Sequence, residues 1–106
     1  MIAKGRIILG IDPGTTIMGY GIIEEKSTNP VLLEMDVLKL QKEPSHPAKL
    51  RSIFECTLNL IDTYHPDELA IEAPFYGANV QSMLKLGRAQ GVAIAAAVYR
   101  DIPITE

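Results

Sequence analysis

The stretch "LGIDPGTTIMGYGIIE", Leu9 to Glu24, decides the fold. Its left half completes a run from Arg6 to Asp12 that is aliphatic and rich in β-branched residues (Ile7, Ile8, Leu9, Ile11), the signature of a buried strand bounded by Gly5 and Pro13. Pro13-Gly14 breaks the chain, and Gly19 to Glu25 carries the same character back. So short a link joins antiparallel neighbours. The turn needs no carboxylate, yet the first strand ends on Asp12. That residue is either a cap or a ligand.

Working outward, "PVLLEMDVLKL", Pro30 to Leu40, reads as a third strand, with Leu33, Met35 and Val37 alternating against Glu34 and Asp36. The link "KSTNP" is again short, so the chain begins with a three-strand antiparallel meander. After "QKEPSHP" the period changes. Leu50, Ile53, Phe54, Thr57, Leu58, Ile61 and Tyr64 recur at three and four residue intervals, which predicts an amphipathic helix opened by Ser45 and Pro47 and closed before His65-Pro66. "ELAIE", Glu68 to Glu72, is a short strand that, like the first, ends on a carboxylate.

A second helix is predicted from Val80 to about Arg100, with Val80, Met83, Leu84, Gly87, Gly91, Ile94, Ala95 and Val98 on one face. Two glycines four apart in a helix cost about 1 kcal/mol each relative to alanine. Such a cost points to close approach by another backbone, either the protein's own sheet or a second copy of the chain. The final "DIPITE" starts a strand with nothing after it. The expectation is therefore one truncated domain over residues 1–106, with the C-terminal part of the fold missing.

Composition narrows the class. At 106 residues with 47% hydrophobic content the chain is neither a disordered tail nor a membrane span, since no apolar run reaches the roughly 20 residues a span needs. Nothing at the N-terminus resembles a secretory signal, so a soluble, cytoplasmic protein is expected. The single cysteine, Cys56, fits a reducing compartment and reads as a half-buried side chain. His46 and His65 read as loop histidines without metal-ligand partners. The net charge of −3 does not advertise a nucleic-acid binder.

Two acids nevertheless close two strands. A right-handed crossover through the first helix would set the fourth strand parallel to the first and bring Asp12 and Glu72 side by side. A divalent cation relieves their repulsion, and hard oxygen ligands suit Mg²⁺. Taken singly, Asp12 as a turn cap and Glu72 as a solvated strand end remain open. The loop "PFYGAN" adds Phe75 and Tyr76, which could stack on bases or wedge between them. Asn79, Gln81, Ser82 and Lys85 follow in the first turns of the second helix, where backbone N–H groups and a cation suit phosphate.

"LGIDPGTT", "GYGII" and "AIEAPFYGANVQSMLKLGRAQGVAIAAA", in this order and spacing, resemble the bacterial RuvC Holliday-junction resolvases over essentially the whole chain. The resemblance implies an α/β, RNase H-like fold with a mixed five-stranded sheet flanked by helices. It implies a homodimer that resolves four-way DNA junctions in recombination and repair, with RuvA and RuvB as partners and Mg²⁺ or Mn²⁺ as cofactor. Two-metal phosphodiester hydrolysis is implied, with Asp12 bridging the ions and Glu72 holding one of them. By the same carry-over Phe75 acts on bases at the junction centre, and the helix with Gly87 and Gly91 forms the dimer interface. Ala78 stands where relatives often have Lys. The two remaining acids lie on a C-terminal helix that these 106 residues lack, so the fragment alone is expected not to cleave.

Two rival readings accompany this one. "GIDPGTT" also looks like the first phosphate loop of actin, Hsp70 and sugar-kinase ATPases, although "AIEAPF" lacks the glycines expected of their second loop. The chain could also be a non-catalytic dimerisation module built on "GRAQG".

Overall fold

The computed structural model describes residues 5–27, 29–72 and 79–106. β1 (Arg6–Asp12), β2 (Ile17–Glu25) and β3 (Pro30–Lys39) form the expected meander. α1 (His46–Tyr64), β4 (Glu68–Ile71), α2 (Val80–Tyr99) and β5 (Ile104–Thr105) follow. The five strands make one mixed sheet in the order β3-β2-β1-β4-β5, with β1, β4 and β5 parallel. β2 starts two residues earlier than Gly19 because Ile17 and Met18 already pair with Lys39 and Leu38 across the sheet.

The turn between β1 and β2 depends on Gly14, where a Cβ would come within 2.0 Å of the Ile17 carbonyl oxygen. Only a residue without a side chain fits so close an approach. Further along, β3 carries a bulge opposite Ile22 and Ile23, which leaves Leu33 unpaired and reverses the faces of the strand on either side of it.

One face of the sheet is buried under both helices. Ile7, Leu9 and Ile11 of β1, Met18 and Ile22 of β2, and Leu69 and Ile71 of β4 join Ile53, Leu60 and Ile61 of α1 in one core. α1 is capped by Ser45, whose hydroxyl accepts from the Ala48 N–H, and ends where His65 takes a left-handed conformation. His46 is thus the first helical residue, not a loop residue: Pro47 suits the opening turn of a helix. Cys56 lies half-buried in α1 as expected, and burial pushes its thiol pKa up.

α2 turns against expectation. Its buried residues are Ala89, Gln90, Ala93, Ala96 and Ala97, whereas Val80, Leu84 and Val98 of the predicted apolar face are 56–71% exposed. Small alanines let this helix sit close to α1 and the sheet, and that requirement outweighs side-chain size. A Cβ at Gly87 or Gly91 would meet nothing within 4 Å. The two glycines therefore do not serve packing on the chain's own sheet.

Candidate active site

β1 and β4 pair in parallel register, with Gly10 opposite Ala70 and Ile11 opposite Ile71. Asp12 is the next residue of β1 and Glu72 directly follows the last residue of β4, so the two stand side by side at the ends of neighbouring strands. Because Ile11 and Ile71 point into the helix-covered core, strand alternation turns both acids to the opposite face. Both acids are exposed. No hydrogen bond or ion pair of either carboxylate occurs among the described residues, so Asp12 is not a turn cap there.

A groove of about 740 Å³ runs beneath them, lined by Gly10, Gly19, Gly21 and Ala70 as well as by Asp12 and Glu72. The floor is low because these positions carry little or no side chain. At Gly19 a Cβ would lie 3.7 Å from that of Asp12, filling the space beside the carboxylate. Met35 and Val37 form one wall, while Thr105 and Glu106 approach from β5. Asp36 and Glu106 also line the groove, a contribution that sequence reasoning missed because β3 and β5 are distant from β1 in the chain.

Glu72 is held by its backbone. Gln90, one of the few buried polar side chains, donates from Nε2 to the Glu72 carbonyl at 3.0 Å. This contact ties the end of β4 to α2. It was not read from the sequence, where Gln90 is one polar residue within "GRAQG".

The donor set suits part of the shell of a hard divalent cation: two exposed carboxylates on adjacent strand ends, unpartnered among the described residues. Among the described residues no third His, Cys, Asp or Glu joins them to make a complete metal cluster. Asn79 accepts from the Gln81 and Ser82 N–H groups and so caps α2. Two of the backbone donors that the sequence offers to phosphate are thereby occupied, which leaves the Ser82 hydroxyl and the Lys85 ammonium. Phe75, Tyr76 and Ala78 lie outside the described residues.

Residues 8–106 match the family described as "Crossover junction endodeoxyribonuclease RuvC". The chain belongs to the RuvC family. It is 63% identical over 106 residues to the RuvC of Christiangramia forsetii, covering all of this chain and 55% of that protein. It is 64% identical over 103 residues to the RuvC of Bacteroides fragilis, covering 97% of this chain and 55% of that protein. The chain thus spans about half the length of these curated relatives. Among solved structures it superimposes on "T. thermophilus RuvC in complex with Holliday junction substrate" with a TM-score of 0.84, at 24% identity, covering 93% of this chain and 62% of that one. That likeness establishes the shared fold, a mixed five-stranded α/β sheet of the RNase H-like kind.

Proposed function

We propose that this RuvC chain supplies the first half of an endonuclease that resolves four-way DNA junctions by metal-dependent phosphodiester hydrolysis. The observation that carries the reading is the pair of exposed carboxylates, without partners among the described residues, on adjacent parallel strand ends above a groove lined by glycine and alanine. A structural pair of acids would be expected to have cationic partners. Arg6 and Arg100, by contrast, are each paired elsewhere, with Glu68 and Asp62.

Asp12 and Glu72 would hold Mg²⁺ or Mn²⁺ with their carboxylate oxygens. Such an ion supplies Lewis-acid polarisation of the phosphate and a more acidic bound water. The chain's own part is to fix the two carboxylates through β1 and β4, to anchor Glu72 through Gln90, and to leave room beside Asp12 for a sugar-phosphate backbone. Asn79, Ser82 and Lys85 open α2 at the same end of the sheet, since both helices run antiparallel to β1 and β4. Lys85 and the Ser82 hydroxyl there suit phosphate contacts, and Phe75 and Tyr76 of the preceding loop suit contacts with bases.

The stripe of Val80, Leu84, Gly87, Gly91, Ala95 and Val98, exposed except at the half-buried Gly87, recurs at three and four residue intervals, and we assign it to a second copy of the chain in a homodimer. RuvA and RuvB are the partners that the family implies, and cytoplasmic action follows from that reading. No helix of the described residues is long and apolar enough to cross a membrane. The resemblance implies two further acids within the part of the relatives' length that this chain does not span, which would join Asp12 and Glu72 in holding the cation.

Junction cleavage tests this directly. The 106 residues alone are expected to leave a four-way junction uncut, whereas a chimera carrying the C-terminal part of the Bacteroides fragilis protein cuts it with paired, symmetric nicks. Asp12→Asn and Glu72→Gln in that chimera abolish cutting but not binding. Cleavage by both variants at the parent rate would refute the assignment. Saturable ATP binding without junction binding would favour the ATPase-like alternative.

A further inference from the structure

The two carboxylates of the candidate site are fixed by different means. Asp12 belongs to β1 and is paired across the sheet with Gly19 of β2. Glu72 lies past the paired register of β4, which ends at Ile71 opposite Ile11 of β1 and at Ala70 opposite Thr105 of β5. The sheet therefore places the first acid outright and stops short of the second.

A side chain of α2 takes over at that point. Gln90 donates from Nε2 to the Glu72 carbonyl at 3.0 Å. Five positions of α2 are buried, and the other four are alanines, Ala89, Ala93, Ala96 and Ala97, which let the helix pack closely and carry no polar atom inward. Gln90, only 9% exposed, must instead strip water from its amide and order a long side chain. Its hydrogen bond to the Glu72 carbonyl offsets that desolvation. Packing alone does not ask for an amide there, and the carbonyl that it holds belongs to a candidate metal ligand.

We propose that Gln90 is a positioning residue of the metal site: its amide fixes the backbone at Glu72, and with it the separation of the Glu72 and Asp12 carboxylates. The proposal rests on the metal-binding reading of these acids above and adds a residue that touches neither cation nor substrate. A cation that meets two ligands already set in place loses no affinity to ordering them. Without the amide, the Glu72 backbone has to be ordered at each binding event, and affinity falls although both ligands are present. The same helix then sets one ligand of the site and, through Gly87 and Gly91 on either side of Gln90, carries the stripe assigned to a second copy.

The test is a double-mutant cycle on Mn²⁺ affinity, read by electron paramagnetic resonance on the chain itself. Gln90→Met, which keeps a long unbranched side chain but has no N–H donor, is expected to weaken Mn²⁺ binding about tenfold. In a Glu72→Gln background the same change is expected to cost nothing further, because the ligand that it positions is gone. A merely structural role would lower both affinities alike. A second measurement needs no variant and so decides the matter even where Gln90→Met does not fold. By reciprocity, a cation that binds better with the Gln90 contact in place also strengthens that contact, so Mg²⁺ is expected to slow solvent exchange of the Gln90 side-chain amide protons in the wild-type NMR spectrum. Wild-type affinity in Gln90→Met, a tenfold loss that persists in the Glu72→Gln background, or amide exchange unmoved at saturating Mg²⁺ each overturns the positioning role and leaves the metal-binding reading intact. Wild-type chain without saturable Mn²⁺ binding overturns both.

Discussion

Asp12 and Glu72 owe their significance to position. Each ends a strand, each is exposed, and neither carboxylate is committed elsewhere among the described residues. The strand-end placement of each was legible in the sequence, because an aliphatic run that stops on an acid is conspicuous at single-residue resolution, whereas exposure and the lack of partners were not. Gln90 was not legible, since a buried amide that holds the Glu72 carbonyl looks like any polar residue until the tertiary contact exists. Asp62 differs from the site acids. Both guanidinium nitrogens that Arg100 presents bond its carboxylate, at 2.8 and 3.0 Å, and hold its pKa below the ordinary carboxylate range. A depressed folded-state pKa contributes stability above the unfolded value of about 3.9, and that contribution is lost as pH falls through the folded value. Thermal melts from pH 7 to pH 2 are therefore expected to show Arg100→Ala less stable than wild type near neutrality, the gap closing below about pH 4. A gap that persists unchanged at pH 2 would mean that the pair is not its cause.

At the scale of elements, α2 is the informative helix. Its position in the sequence was readable from periodicity, but its orientation was not. Large apolar residues and alanines both satisfy a hydrophobic pattern, and only the spacing between α1 and the sheet decides which set goes inside. The consequence is an outward stripe with two glycines at which an added Cβ would meet nothing within 4 Å among the described residues. Replacing Gly91 by Ala is expected to stabilise the fold by up to about 1 kcal/mol, as helix propensity dictates, measured by urea unfolding at a fixed low concentration. Gly91→Leu is expected to fold equally well yet lose the dimer in sedimentation. A Leu variant that sediments as a dimer would remove α2 from the interface, and one that unfolds would show that the position is packed within the chain. α2 also depends on its cap, so Asn79→Ala is expected to cost about 1 kcal/mol in the same unfolding measurement.

Over the whole molecule the radius of gyration is 14.4 Å, above the roughly 13 Å of a compact domain of this length. The outer strand of the β2–β3 ribbon is exposed along most of its length, including Leu32 and Met35. The helix-covered core carries the stability, and Leu9, at 1% exposure in the central strand, lies within it. Leu9→Ala is expected to cost about 2–5 kcal/mol, read as a lowered urea midpoint. The architecture was largely legible because the meander, the crossover and the alternation of strand with helix are all local patterns. The groove was not, because it is assembled from residues of all five strands that meet only after the sheet has formed.

The central claim, that Asp12 and Glu72 together hold a divalent cation, is tested most directly by Mn²⁺ titration followed by electron paramagnetic resonance. The chain is expected to bind Mn²⁺ weakly but saturably, and Asp12→Asn and Glu72→Gln should each weaken binding by about tenfold or more, the equivalent of 1.4 kcal/mol. Equal binding by wild type and both variants would show that the two acids are structural and that the cation, if bound, sits elsewhere.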